Sequence, residues 1–321
     1  MFMIKKPDKA RKIRLNIIQP SHSPIIGNTT ESLEKNCGYG YAGYMSLSTR
    51  NLVFKLGIVF SFLCLLLGIA ASTRIIPVYA LMEAATTRRP EGFLQAFIGK
   101  FTDVKLLAAH FGIMASVLYS LLSIIFIHYS FEKTQSPEIP FVAFFAVSFS
   151  LEALRLILPL KWVYEIPSLY VLAASRIILF GRYFGIFSLF TASVYATGFR
   201  VQKQRNVITI ITVTTLIIVL GFPIDTQTWD SSLNMINGYF SVLRLIEVGA
   251  FLIAIISFFI AAWSRSSREF MLIGVGVIFA FLGRNILLNA DAWEALPLGL
   301  LFLVTGTWLI CTKLHKVYLW L

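Results

Sequence analysis

The sequence predicts an all-α, polytopic membrane bundle of about eight transmembrane helices, one leading helix followed by seven, on three observations. Of its 321 residues, 57% are hydrophobic and only 14% are charged. The apolar residues come in unbroken runs, and about 20 such residues in a helix cross a hydrocarbon core. The chain left between the runs is too short for a folded soluble domain without disulfides, metal or a partner.

Residues 1–51 read as a basic cytoplasmic segment, largely disordered, with Lys5, Lys6, Lys9, Arg11, Lys12 and Arg14 suited to an anionic lipid surface. Leu52–Ala70 is the first apolar run. A second reading makes 52–72 a signal peptide that starts at Met45, with an apolar centre Leu56–Gly68 and small residues Ala70, Ala71 and Ser72 for cleavage. The rest of 52–105 is an outer loop. In it Pro90 precedes Glu91–Phe101, whose Phe93, Leu94, Phe97, Ile98 and Phe101 share one face, as in an interfacial helix.

Residues 106–321 supply the seven-helix bundle through Leu106–His128, Pro140–Leu160, Pro167–Ala196, Val207–Ile224, Asn237–Trp263, Phe270–Leu288 and Pro297–Thr312. Gly181 and Gly185 in the fourth run, and Gly274, Gly276 and Gly283 in the seventh, allow close helix approach.

The net charge of +12 does not indicate nucleic acid, because the basic residues form no interleaved basic-aromatic tract. They mark orientation instead. Gly198–Asn206, Ser264–Glu269 and the C-terminal tail are basic, whereas the intervening loops carry Asp225, Asp230, Asp291 and Glu294. By the positive-inside rule the basic set, and with it both termini, is cytoplasmic in a cell membrane. The loop Ala71–Lys105, with five basic residues, is the exception, and its length softens the conflict. Trp162, Trp229 and Trp293 fall in the expected outer loops, while Tyr129, Tyr195, Trp263 and Tyr318 fall at inner ends, as interfacial aromatics do.

Catalytic chemistry has no foothold in the sequence. There is no Walker loop, dinucleotide fingerprint or His-x-x-x-His pair, and Cys37, Cys64 and Cys311 are far apart. No metal, cofactor or catalytic residue is expected, and an enzyme is disfavoured. The informative residues are the ionisable ones inside the apolar runs. At about 1.5 Å per residue, Glu152 and Arg155 lie in the outer half of the third helix, and Arg176 about 14 Å from the outer end of the fourth. Arg244 and Glu247 lie about 10–15 Å down the sixth, and Arg284 about 21 Å along the seventh. Arg182 falls nearer the middle. The pairs Glu152 with Arg155 and Arg244 with Glu247 are spaced for contact along one helix. Four guanidinium groups against two carboxylates leave a formal excess of two positive charges. Arginine cannot shed its proton to relieve it. Arg155, Arg176, Arg244, Arg284, Glu152 and Glu247 are therefore the expected ligand-binding set, suited to a carboxylate, phosphate or lipid headgroup. The plainer alternative makes all six buried pairs that hold the bundle in register.

The layout over Leu106–Leu321 is similar to the membrane portions of bacterial sensor proteins, in architecture and without a shared motif. It departs from them in that no output domain follows Leu321. The expected function is a receptor-like or regulatory membrane protein with an outward-facing, Arg-rich pocket. Its expected partners are membrane lipids, an anionic small molecule, and a membrane or cytoplasmic protein that carries the signal. The alternatives are a secondary transporter of an anionic solute, or a non-catalytic assembly subunit.

Overall fold

The computed structural model describes residues 46–86, 106–134, 136–198 and 204–319. Most of the expected N-terminal segment and the whole of the expected interfacial helix Glu91–Phe101 lie outside them. The helices are α1 (Leu47–Thr86), α2 (Leu106–Phe131), α3 (Ile139–Ser148), α4 (Ile157–Tyr164), α5 (Ser168–Ala196), α6 (Gln204–Gly221), α7 (Phe240–Ser264), α8 (Arg268–Leu288) and α9 (Ala295–Leu319). Strands β1 (Ile224–Trp229) and β2 (Met235–Asn237) pair antiparallel between α6 and α7.

Among the described residues, eight segments are long and apolar enough to cross a membrane, so the protein is the helical bundle its composition predicts. The ends of the bundle differ. One carries the hairpin; the other carries the basic turns with Arg265, Arg268, Lys313 and Lys316. Among the spans, α2, the α3–α4 span and α5 are 56–61% buried, and α1, α6 and α7 only 22%, which places the first three in the interior. That interior is aromatic. Phe141, Phe145 and Phe149 pack there, and Tyr119 Oη meets Thr307 Oγ1 at 2.5 Å.

The third span is not one α-helix. Between α3 and α4 the chain winds as a 3-10 helix over Phe149–Leu156. Pro159 explains the change, because it has no N–H for the Arg155 carbonyl and its ring crowds that turn. Ser148 and Ser150 add to it by donating to the carbonyls of Phe145 and Val147, back-bonds that bend helices. The span also runs on to Tyr164, where Glu165 takes a left-handed conformation (φ 51°) and ends it. The link between the expected runs Pro140–Leu160 and Pro167–Ala196 is thus shorter, and the helix longer, than the apolar pattern indicates.

Glycines set the close crossings. A Cβ on Gly181 would lie 2.6 Å from Leu151 Cδ1, and one on Gly185 would lie 2.4 Å from Ser148 Oγ. So α5 lies directly against the 3-10 segment. The α8–α9 pair approaches backbone to backbone: a Cβ on Gly283 would be 2.4 Å from the Leu303 nitrogen, and one on Gly306 would be 2.5 Å from the Ala280 nitrogen.

At the basic end, buried Arg50 donates to the carbonyls of Phe131 (2.6 Å), Glu132 (3.2 Å) and Thr134, where α2 runs out. A guanidinium here meets acceptors that the helix leaves unpaired. Nearby Glu138, fully buried just before α3, accepts from Ser136 Oγ (2.8 Å) and Tyr318 Oη (2.7 Å). Burial pushes its carboxyl above the ordinary 4.5, against the pull of those hydroxyls and of Arg265.

Gly306→Ala should therefore cost about 1–3 kcal/mol, because its methyl meets backbone that cannot yield. Gly249→Ala, with nothing within 4 Å of the added carbon, should be neutral or gain up to about 1 kcal/mol in unfolding from mixed micelles. For Glu138 the folded state holds the proton more tightly than the unfolded one. Stability should then fall as pH rises above 4.5, and Glu138→Gln should flatten that slope in thermal melts.

Candidate functional site

The site starts from one carboxylate. Glu152, 2% exposed, is held by Arg182 of α5 through Nε to Oε1 and Nη2 to Oε2, both 2.7 Å. This fork is the strong geometry for a guanidinium and a carboxylate. It follows from the altered third span. Counting back from Tyr164, α4 contributes about 12 Å and the 3-10 steps about 8 Å, so Glu152 lies about 20 Å from that end. Arg182 lies about 21 Å from the start of α5, at the same level. A plain α-helix ending at Leu160 puts Glu152 at about 12 Å, well above Arg182. Gly181 and Gly185 then let the two backbones close.

The same winding aligns Arg155 with Glu152, since residues three apart eclipse on a 3-10 helix. Arg155 is 3% exposed; its Nη1 stands 3.4 Å from Glu152 Oε2 and donates to the Leu288 carbonyl at the end of α8 (3.2 Å). Its Nε is buried and makes no hydrogen bond.

The hairpin completes the centre from above. The sequence reading treats its residues as an outer loop, yet the turn folds back into the bundle, with Ser232 and Leu233 each 1% exposed. Asn234 Oδ1 accepts from Arg182 Nη2 at 2.7 Å, and Asn234 Nδ2 donates to Ser232 Oγ (2.8 Å) and towards the Leu288 carbonyl (3.4 Å). Met235 Sδ lies 2.7 Å from Ser175 Oγ of α5. Non-helical backbone within a spanning bundle is tolerated where protein or a wet cavity surrounds it. Here the turn is closed by Asp230 N–H to the Asn234 carbonyl (2.8 Å) and Leu233 N–H to the Asp230 carbonyl (2.9 Å). Between turn and bundle is a narrow cleft lined by Arg155, Ser175, Arg182, Asn234 and Met235, with room for about 20 Å³ of solvent.

Not all of the expected set converges here. Glu247 pairs with Arg284 across α7 and α8, and Arg284 also lies over the Phe251 ring at 5.9 Å. The pair is close enough that Arg284 acts electrostatically on Glu152, and Glu247 on Arg182. The expected contact of Arg244 with Glu247 is replaced by this one. Glu247 falls on the buried stripe of Leu243, Phe251 and Ala254, whereas Arg244 is turned about 100° from Leu243 and is exposed. Arg176 reaches the carbonyls of Val219 (2.6 Å) and Leu220 (3.1 Å), where it caps α6.

The centre therefore holds Arg155, Arg182 and Arg284 against Glu152 and Glu247, a formal excess of one positive charge among these groups. Arg182, Asn234 and Ser175 are absent from the expected set. The run of the third span on to Tyr164, with a smaller contribution from the tighter turn at Pro159, brings Arg182 level with Glu152. Fold and site together define a multi-pass helical membrane protein with a charged centre built into its interior. No known protein family, characterised protein or solved structure matches the chain.

Arg182→Ala leaves Glu152 buried with Arg155 at 3.4 Å, and loss of such a partner costs about 3–5 kcal/mol. Arg244→Ala should change stability by no more than about 0.5 kcal/mol in the same unfolding assay.

Proposed function

We propose that this is a receptor-like or regulatory membrane protein that binds an anion at the Arg155–Arg182 centre from the side bearing the hairpin and acts through a partner at the basic end. The observation that carries the proposal is Arg155. Its guanidinium is buried, its Nε has no acceptor, and it belongs to a centre with more cations than carboxylates. A buried guanidinium stays charged, so an entering anion relieves both the missing hydrogen bond and the excess charge. A solute carboxylate, a phosphate and a lipid headgroup all offer that chemistry. The positive-inside rule assigns the hairpin end to the outside.

Two features favour a receptor over a transporter. On the basic side of the centre the interior is closed by Phe141, Phe145, Phe149 and Tyr195, none more than 5% exposed, with no wet path among these residues. The hairpin is joined directly to α6 and α7, which are among the least buried spans, so a movement of the turn bears directly on them.

Protein in zwitterionic nanodiscs, depleted of small anions, should gain thermal stability from added anions or from phosphatidylglycerol in the bilayer, and Arg155→Gln protein should not. The absence of any Arg155-dependent response sinks the proposal. In a Cys37→Ser background, Asp230→Cys should react with an impermeant thiol reagent on intact cells and Ser264→Cys should not; the reverse pattern overturns the sidedness.

A further inference from the structure

We infer that the centre selects a small, singly charged anion, chloride-sized, over a phosphate or a phospholipid headgroup; this rests on the anion-binding proposal and narrows it. Three observations converge. The cleft between turn and bundle leaves about 20 Å³, and one water already needs about 10–15 Å³ measured this way. A phosphate group with its four oxygens needs several times that room. The formal excess of one positive charge is cancelled by a monoanion, whereas a dianion would leave net negative charge against Glu152, 2% exposed. The cleft walls are otherwise apolar, with Ile157, Leu158, Ile178 and Leu179 among them. Such walls penalise the loss of a large hydration shell more than that of a small one.

The donors fit the same ligand. Arg155, which lines the cleft, has a buried Nε without a hydrogen-bond partner, while its Nη1 is engaged by Glu152 and the Leu288 carbonyl. Arg182 Nη2 already serves Glu152 and Asn234, so a second full coordination sphere is lacking. Asp230 also acts electrostatically on Arg155, but it is exposed on the turn, where water screens it, and so stands outside the count of buried and half-buried charges; it disfavours a dianion more than a monoanion. Asn234 is then the position that sets occupancy, because its side-chain oxygen is the neutral acceptor placed on Arg182 where a carboxylate would cancel the excess.

The test uses full-length protein in zwitterionic nanodiscs, at constant ionic strength, with gluconate exchanged for chloride, formate or inorganic phosphate. Chloride should raise the melting midpoint saturably, formate equally or less, and phosphate not at all. Arg155→Gln should abolish the chloride response. Asn234→Asp should abolish it too, while holding the midpoint at or above that of the chloride-bound wild type, a result that a merely unfolded variant cannot produce. A response to phosphate or phosphatidylglycerol, Arg155-dependent and without one to chloride, overturns this inference and leaves the anion proposal standing. No response to any anion overturns both. A chloride response that survives in both variants places the ion elsewhere and overturns the assignment to this cleft.

Discussion

A carboxylate in the middle of a membrane-spanning segment has to be matched where it stands, and the interior of this protein is arranged around the matching of Glu152. The fork from Arg182 needs the two side chains at one level and the two backbones in near contact. The level comes mainly from the third span running on to Tyr164 and in smaller part from the 3-10 winding, and the contact from Gly181 and Gly185 against Leu151 and Ser148. Remove either condition and the charges miss each other, in a medium where no water replaces the lost partner.

Three other guanidinium groups, buried or half-buried, draw on helix ends. Arg50 meets the last carbonyls of α2, Arg176 those of α6, and Arg155 that of Leu288 in α8. Each helix leaves carbonyls unpaired at its C-terminus, where its dipole also favours a cation. A bundle of eight spans therefore offers many cation sites without any acidic residue. This accounts for a chain with 28 Lys and Arg against 16 Asp and Glu that still buries several arginines. Arg155 departs from the pattern, because one helix-end carbonyl and a distant carboxylate oxygen leave its Nε unused.

The hairpin turn gives that surplus its meaning. It replaces what a loop in water would need for hydration with protein partners: Arg182 for Asn234, Ser175 for Met235, Asp291 for Ser231. Any group that competes for Arg182 competes with the turn. The charged centre and the facing ends of α6 and α7 are thus joined through one short segment of chain.

The sequence alone determined the class, the number of spans and most of their limits. In a hydrocarbon solvent every backbone group must be bonded within the segment, so a long apolar run has little choice but helix. It also singled out Glu152, Arg155, Arg176, Arg244, Glu247 and Arg284, because charge inside such a run is costly wherever it points, although Arg176 and Arg244 stand away from the centre. Only the tertiary structure decided which charges meet. Pairing depends on rotation about each helix axis and on height along it, and the 3-10 winding together with the run on to Tyr164 changed both in the third span. Thus Glu247 took Arg284 instead of its own neighbour Arg244, and Glu152 took Arg182, which a straight-helix count places too deep. The inward fold of the hairpin was likewise invisible in composition, since a polar turn reads the same whether its partners are water or buried side chains.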